Sequence, residues 1–472
     1  MSDLRCDLLV IGAGSGGLSV AAGAAQMGAR VVLAERGRMG GDCLNYGCVP
    51  SKALLAAAAR AQAMRDAGAF GIRAVQPDID YAAVMDHVAR AIATIAPHDS
   101  QERFEGLGVT VLRDHARFTA PDRVEVGGQG VRARRVVIAT GAAPLVPPIP
   151  GLDAVPCLTN ETLFDLRTRP DQLVILGGGP IGMEMAQAHV RLGSRVTVIE
   201  AARALSGDDA EMTAPVLDRL RAEGVEIAEG ARAARVSGQA GAITVEAEDG
   251  RRFEGTHLLV ALGRRPATDD MGLDAAGIDT DGPAIRVDAR LRTTNRRAYA
   301  IGDVSGGMQF THLAGYEAGI VLRAALFGLP ARARHGHIPR VTYTDPELAH
   351  VGLTEAQARD THGDGITVIR EEFAGNDRAV AAGQTAGGIK LIVHRGRPVG
   401  VTIVGAEAGE LIALWAVALS KGLKLSDIAG AVLPYPTLSE IGKRAAGTYF
   451  SPRLFGNIWV KRTVRTIQRL VP

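Results

Sequence analysis

The sequence predicts an α/β chain with two successive units of parallel strands and crossover helices, followed by a mixed α+β segment. Three observations predict it. A short apolar strand runs twice into a Gly-x-Gly-x-x-Gly turn, at 12–17 and again at 177–182. Each turn is followed, one helix later, by a second apolar strand that ends in an acid, Glu35 and Glu200. Composition adds the third: 58 glycines, 47% hydrophobic and only 4% aromatic residues fit a glycine-rich α/β protein better than a membrane-spanning or disordered chain. A length of 472 residues leaves room for about three domains of ~150 residues.

The first strand, Asp7–Ile11, feeds Gly12, Gly14 and Gly17. Glycines at this spacing allow a tight turn and close backbone approach, and the helix that follows offers its N-terminus to a pyrophosphate. The strand Arg30–Ala34 then delivers Glu35, about 20 residues on, where an acid binds ribose hydroxyls. The same logic applies to the strand Gln172–Leu176, to Gly177, Gly179 and Gly182, and to the strand Arg195–Ile199 ending in Glu200. Glu200 would repel a 2′-phosphate, and Ala201 and Ala202 offer it no positive charge. NADH is therefore expected over NADPH, although Arg203 is close in sequence.

Between the first module and the next strands lies Gly40-Gly41-Asp42-Cys43-Leu44-Asn45-Tyr46-Gly47-Cys48-Val49-Pro50-Ser51-Lys52. Its two cysteines are not half of a zinc site, because no second Cys or His pair follows at ligand spacing. On one helix their spacing would put both side chains near one face, close enough for a strained, reactive disulfide. Two unrelated buried thiols are the bland alternative. An alanine-rich helical run, 53–64, follows, and 81–107 is helical in pattern. Strands return at 109–112 and 124–126, and a buried strand from Val136 ends at Thr140-Gly141. Five prolines within 142–156 mark the first expected domain boundary.

The stretch 40–52 resembles the redox motif of the FAD-dependent pyridine nucleotide–disulfide oxidoreductases, in the branch of dihydrolipoamide dehydrogenase and mercuric reductase. The resemblance runs from Asp7 to about Gly442. It implies two Rossmann-like dinucleotide-binding domains, for FAD and for a nicotinamide nucleotide, plus a C-terminal dimerisation domain. The expected segments are 1–150 and 271–340 for FAD, 151–270 for NAD(P)H, 341–445 for dimerisation and 446–472 as a separate tail. It also implies that Cys43 is the interchange thiol that attacks substrate and Cys48 the charge-transfer thiol, with Lys52 near the flavin and paired with Glu184. Thr140-Gly141 resembles the family's Ala-Thr-Gly segment near FAD. Gly263 lies in its Ala-x-Gly-Arg-x-Pro signature, and Gly302-Asp303 in its second FAD signature. His312, where a helix is expected to begin, is read as structural.

Asp42 stands where threonine is usual, and Tyr46 where a small apolar residue or arginine is common. Both neighbour the reactive sulfurs, so they bear on substrate and potential. The family's His-Pro-Thr-x-x-Glu reads here as Tyr435-Pro436-Thr437-Leu438-Ser439-Glu440. A phenol with pKa near ~10 is a poor base at neutral pH beside an imidazole at ~6.5. Tyr435 can still hydrogen-bond a thiolate or ligand, or be a neutral packing residue. Its presence argues against efficient dihydrolipoamide or glutathione turnover. Mercuric reductases also carry tyrosine near this place, yet no cysteine follows Cys157 to pass a metal inward.

The implied function is electron transfer from NADH through FAD to the Cys43–Cys48 disulfide, and on to a disulfide, a metal ion, a quinone or another acceptor. The alternative of another class is a membrane-docked flavoprotein serving as a binding or sensing partner. A homodimer is implied. A net charge of +2 gives no case for nucleic acid. No apolar run reaches the ~18 residues of a membrane span, and no secretory signal is visible, so a cytoplasmic location is expected. Past Glu440 there are seven basic residues and no acid. Drawn as a helix, 459–471 has an apolar and a basic side, which suits either a peripheral contact with the inner membrane surface or packing on its own domain or dimer.

Overall fold

The structure, a computed structural model, describes residues 3–471. The chain divides into two compact units. The first comprises the residues up to Arg65, Gln76–Ala202 and Glu226–Arg334; the second comprises Asp66–Val75, Arg203–Val225 and the residues from His335 on.

The first unit opens as the glycine patterns require. Strand β1 (Leu4–Ile11) leads into helix α1 (Ser15–Gln26), strand β2 (Val31–Ala34) and the short helix α2 (Gly41–Asn45), and then α3 (Cys48–Asp66). Helices α4 (Tyr81–Ile95) and α5 (Gln101–Gly106) fill the segment expected to be helical, broken near Pro97, which cannot donate a helix hydrogen bond. Strands β3 (Thr110–Leu112), β4 (Ala116–Ala120), β5 (Arg123–Val126) and β6 (Gln129–Ile138) complete a sheet in the order β3-β2-β1-β6-β5-β4. β1 runs parallel to β2 and β6, while the start of β6 pairs antiparallel with β5.

Continuous apolar strands are the mark of a sheet covered on both faces. Leu8 and Val10 face one side, against Val20 and Ala24 of α1; Leu9 and Ile11 face the other, with Phe118 and Val124. Each such side chain contributes about 2 kcal/mol on burial, so slipping the register by one residue would forfeit both cores.

The proline-rich stretch 142–156, the first expected domain boundary, lies inside the first unit rather than between units. It does form a short strand, β7 (Ala142–Pro144). The proline is tolerated because it sits at the end of a two-stranded ribbon, outside any central strand.

The second module repeats the first. Strand β8 (Gln172–Leu176), helix α6 (Pro180–Arg191) and strand β9 (Arg195–Ile199) lead, past helix α7 (Ala210–Ala222), to β10 (Val225–Ala228). An antiparallel sheet of β11 (Ala233–Gln239), β12 (Ala242–Ala247) and β13 (Arg252–Gly255) follows. Strand β14 (His257–Val260) then returns beside β8, giving the order β10-β9-β8-β14. Strand β15 (Arg264–Pro266) pairs with β7. After helix α8 (Leu273–Ala276) and the hairpin β16 (Thr280–Asp281) and β17 (Ala284–Ile285), strand β18 (Ala298–Ala300) adds to the first sheet beside β6. Helix α9 (Thr311–Phe327) follows.

The second unit is a five-stranded antiparallel sheet, β19-β20-β23-β22-β21, made of β19 (Arg340–Thr342), β20 (Glu347–Gly352), β21 (Ile366–Glu372), β22 (Gly388–His394) and β23 (Arg397–Gly405). Helices α10 (Glu355–His362) and α11 (Asp377–Ala381) connect its strands. Helices α12 (Ala408–Lys421), α13 (Leu425–Ala429) and α14 (Glu440–Phe455) contribute Trp415, Ile428 and Ala445 to a core that also holds Phe373 and Leu391. Helix α7 belongs to this unit although its sequence lies within 151–270. It buries Met212, Val216, Leu217 and Leu220, and Lys390 of β22, with only 4% of its side chain exposed, binds Asp209 at 2.6 Å and Glu211 at 2.9 Å at the helix start, and Glu355 at 2.6 Å. A last helix, α15 (Ile458–Leu470), has no buried residue.

Candidate redox and dinucleotide site

Both glycine turns are built alike. At the first glycine of each, Gly12 (φ +103°) and Gly177 (φ +109°), the backbone is left-handed, and an added Cβ would fall 2.3 Å from Ala139 O and 2.4 Å from Ala261 O. At the third, Gly17 and Gly182, a Cβ would strike the carbonyl of the first at 1.9 and 2.0 Å. The middle glycines differ. Gly14 has only the Gly41 Cα at 4.0 Å, and Gly179 meets nothing within 4 Å. Turn, open face and tight helix packing are the three roles glycines take beside a pyrophosphate. Gly14 and Gly179 are also the N-caps of the twelve-residue helices α1 and α6, and no side chain caps either. Both turns therefore fit a dinucleotide.

The acids complete the symmetry. Glu35 Oε2 accepts from Ala13 N–H at 2.6 Å and its Oε1 from Gly37 N–H at 2.6 Å. Glu200 Oε2 accepts from Gly178 N–H and Oε1 from Ala202 N–H, both at 2.8 Å. A cavity of the first module is lined by Gly12, Glu35, Arg36, His115, Thr140 and Met271, a mixture of apolar wall and polar edge suited to an adenosine. Thr140 donates to Ala267 O at 2.7 Å, and Gly141 takes φ +69°. Gly302 N–H donates to Glu317 Oε2 at 2.7 Å, and burial raises the pKa of neighbouring Asp303. Gly263 O accepts from Leu145 N–H at 2.9 Å.

The cysteines do not share a helix, which corrects the one-face geometry expected from their spacing. Cys43 lies in α2 and Cys48 opens α3, because the chain breaks at Tyr46-Gly47. A Cβ on Gly47 would sit 2.8 Å from Asp42 Oδ2 and 3.2 Å from Asp42 O, so this turn packs closely on Asp42. Both sulfurs are thiols. They hydrogen-bond each other: this bond, with burial, drives the Cys43 pKa far up, while the same bond lowers Cys48 to about 6. Thr311, whose Oγ1 is 3.4 Å from Cys48 Sγ, and the charge of Lys52 add to the lowering. A position at the start of a 19-residue helix favours the same anion. The reduced pair is thus built to hold one negative charge, on Cys48.

Lys52 Nζ donates to Glu184 Oε2 at 2.7 Å, joining α3 to α6; the Glu184 side chain is only 6% exposed. Asp42 is held from two directions, by Arg264 Nη1 at 3.1 Å and by Asn160 Nδ2 at 2.9 Å. Arg264 Nε also lies 3.6 Å from Asp303 Oδ2.

Within the second unit, Tyr435 is 69% exposed and donates its hydroxyl to Asp377 Oδ2 at 2.8 Å, which raises the phenol's pKa further. Glu440 begins α14. His312 lies in the first turn of α9, stacked on Phe310 at 5.3 Å. Thr311, Asn160 and Asp377 were missed by sequence reasoning. Thr311 stood beside the noted His312 and Arg264 inside a noted signature, whereas nothing in the sequence marks Asn160 or Asp377.

Comparison with known proteins matches residues 6–318 to the family described as "Pyridine nucleotide-disulphide oxidoreductase" and residues 338–446 to the dimerisation domain of the same family. A mercuric reductase of Lysinibacillus sphaericus is 35% identical over 450 residues, 94% of this chain and 82% of that one. A dihydrolipoyl dehydrogenase of Geobacillus stearothermophilus is 35% identical over 457 residues, 94% of this chain and 96% of that one. Among solved structures, the Cu(II) complex of the HOCl-induced flavoprotein disulfide reductase RclA of Escherichia coli is similar, with TM-score 0.83 and 30% identity. That likeness covers 93% of this chain and 99% of RclA.

Proposed function

This chain belongs to the pyridine nucleotide–disulfide oxidoreductases, FAD-dependent enzymes with a dimerisation domain, and from that premise we propose that it spends NADH to reduce the Cys43–Cys48 pair and passes the electrons to an acceptor through Cys43. The observation that carries the reading is the divided pair itself: one sulfur poised as a thiolate at about 6, the other kept protonated beside it.

FAD, when bound, supplies the two-electron chemistry between a nicotinamide and a disulfide. The open faces at Gly14 and Gly179 would seat the two pyrophosphates, FAD at the first and NADH at the second. Glu35 and Glu200 would accept from the adenosine riboses, with Thr140, Gly141, Gly263, Gly302 and Asp303 along the FAD site. NADH is favoured because the Glu200 side chain would repel a 2′-phosphate, and because Arg203 donates instead to Thr213 Oγ1 and Asp208 O, each at 2.8 Å. Lys52, paired with Glu184 at 2.7 Å, places its ammonium where it favours the Cys48 thiolate.

The chain's own sulfurs then do the exchange. Two electrons and one proton convert the disulfide to a Cys43 thiol and a Cys48 thiolate. Cys43 passes its proton across their shared hydrogen bond to Cys48 and, as a thiolate, attacks a sulfur of the acceptor disulfide, forming a mixed disulfide and expelling one thiolate. Cys48 releases that proton to solvent, attacks the Cys43 sulfur, expels the second acceptor thiolate and restores the disulfide. Tyr435 supplies no base at neutral pH, so acceptors whose leaving thiolate needs no proton are preferred over dihydrolipoamide chemistry. The same feature favours a second reading, a soft metal ion as acceptor, which two thiolates bind without proton transfer; relatives bear the name mercuric reductase, and RclA was solved with Cu(II). Membrane quinone remains a further acceptor class for the same assay. A slow flavoprotein with a binding or sensing role rests on α15 alone, and turnover far below the rate of flavin reduction would favour it.

Trapping tests the proposal. The oxidised holoenzyme is treated with iodoacetamide before and after one equivalent of NADH without oxygen. Labelling of Cys43 and Cys48 should require NADH. Equal labelling before NADH, or none after it, would refute the reading.

A further inference from the structure

Helix α15 is set off from the helix before it. Asn457 starts it afresh, its side-chain oxygen accepting from Trp459 N–H at 2.9 Å and Val460 N–H at 3.5 Å, an ordinary N-cap. At about 100° per residue, Trp459, Val460, Val464, Ile467 and Leu470 fall along one side. Lys461 and Arg462 flank that stripe, and Arg465 and Arg469 lie opposite it. A helix of a globular unit normally buries such a stripe. Here Trp459 is 69% and Leu470 77% exposed, and no residue of α15 is buried within its unit.

Charge decides what covers it. The helix carries four cations and no acid. A second copy laid against it would bring eight cations together with nothing to offset them. An acidic protein surface would satisfy the basic side and leave the apolar stripe in water. An anionic bilayer surface takes both at once: the stripe enters the acyl boundary, and long Lys and Arg side chains reach along it to the headgroups. Trp459, with Arg462 5.2 Å above its ring, suits the headgroup level, where tryptophan is enriched. We propose that α15 docks this enzyme on an anionic membrane surface, lying in the plane of the interface. The proposal concerns where the enzyme works and is independent of its electron acceptor.

The test is co-sedimentation of the full-chain FAD holoenzyme with phosphatidylglycerol–phosphatidylcholine vesicles and with pure phosphatidylcholine vesicles. Binding to the anionic vesicles should be at least about tenfold stronger and should weaken as salt screens the charges. Truncation after Gly456, and separately Trp459→Ser with Leu470→Ser, should abolish it without changing NADH-driven flavin reduction. Fluorescence gives a second readout. The other tryptophan, Trp415, is 1% exposed, so a blue shift on adding vesicles reports Trp459. Equal vesicle binding by the variants, or no binding by the intact chain, would overturn the proposal. So would a fall from dimer to monomer on truncation without any vesicle binding, which would assign the stripe to a second copy.

Discussion

Asp42, the residue before Cys43, is bound to Arg264 at 3.1 Å, and that guanidinium reaches on toward Asp303. An acid thus replaces the neutral residue usual in the redox motif and is fixed in place by a half-buried arginine. Its charge opposes the Cys48 thiolate. Asp42→Asn removes this anion and releases Arg264, and both changes favour the thiolate. The midpoint of Cys48 alkylation against pH should therefore fall below the native value of about 6. An unchanged or higher midpoint would mean that Asp42 only braces the loop.

Lys52→Met should move the same midpoint the opposite way, because the lysine's charge lowers the Cys48 pKa. It also removes the 2.7 Å ion pair between Lys52 and Glu184. Flavin reduction by NADH should slow by about 10²-fold, the usual loss when one preorganised charge-stabilising group is removed. Rapid-mixing spectroscopy reads the rate, and a native rate would separate Lys52 from the chemistry.

Tyr435→His should restore an acid–base group where the phenol now donates to Asp377. Lipoamide turnover should rise and acquire a pH dependence near ~6.5, the ordinary imidazole value. Tyr435→Phe should leave flavin reduction unchanged and cost less than about 0.5 kcal/mol of stability, as exposed substitutions usually do. If the histidine variant gains nothing, the loss of imidazole is not what limits this acceptor.

Lys390 is the charge on which its acidic cluster depends. Lys390→Met should destabilise the second unit by about 3 kcal/mol, the usual result of removing one partner from a buried ion pair. The pH dependence has a definite sign. Arg370, followed by Lys390, holds Glu211 down to about 2, so its contribution is complete above the ordinary carboxylate pKa and is lost as pH falls toward that value. Acid unfolding of the variant should begin at higher pH than in the native chain, as denaturant titrations at a series of pH values would show.

Much of this site was legible because its chemistry is local in sequence. Gly17 and Gly182 are dictated by clashes with the carbonyls of Gly12 and Gly177 within their own turns, Gly12 and Gly177 by the left-handed backbone those turns need, and Cys43, Cys48 and Lys52 share one short stretch. What the sequence hid is what folding brings from afar. Asn160 and Arg264 meet Asp42 across more than a hundred residues, and Asp377 meets Tyr435 across an intervening hairpin. No periodicity encodes such contacts. The break at Gly47 was hidden for a different reason: a spacing of two cysteines says which face they share on one helix but not where that helix stops. The place of α7 in the second unit was hidden likewise: its apolar face and the Lys390 that binds Asp209 and Glu211 are brought together from distant parts of the sequence.

The most direct test of the central claim is NADH-dependent reduction of an aromatic disulfide whose leaving thiolate needs no proton, by the holoenzyme and by Cys43→Ser, with flavin reduction followed in parallel. Steady turnover by the native enzyme is expected, at least about 10³-fold less in the variant, and flavin reduction by NADH retained in both. Equal turnover by the Cys43→Ser enzyme would contradict it, since the electrons would then leave by a route that does not pass through Cys43.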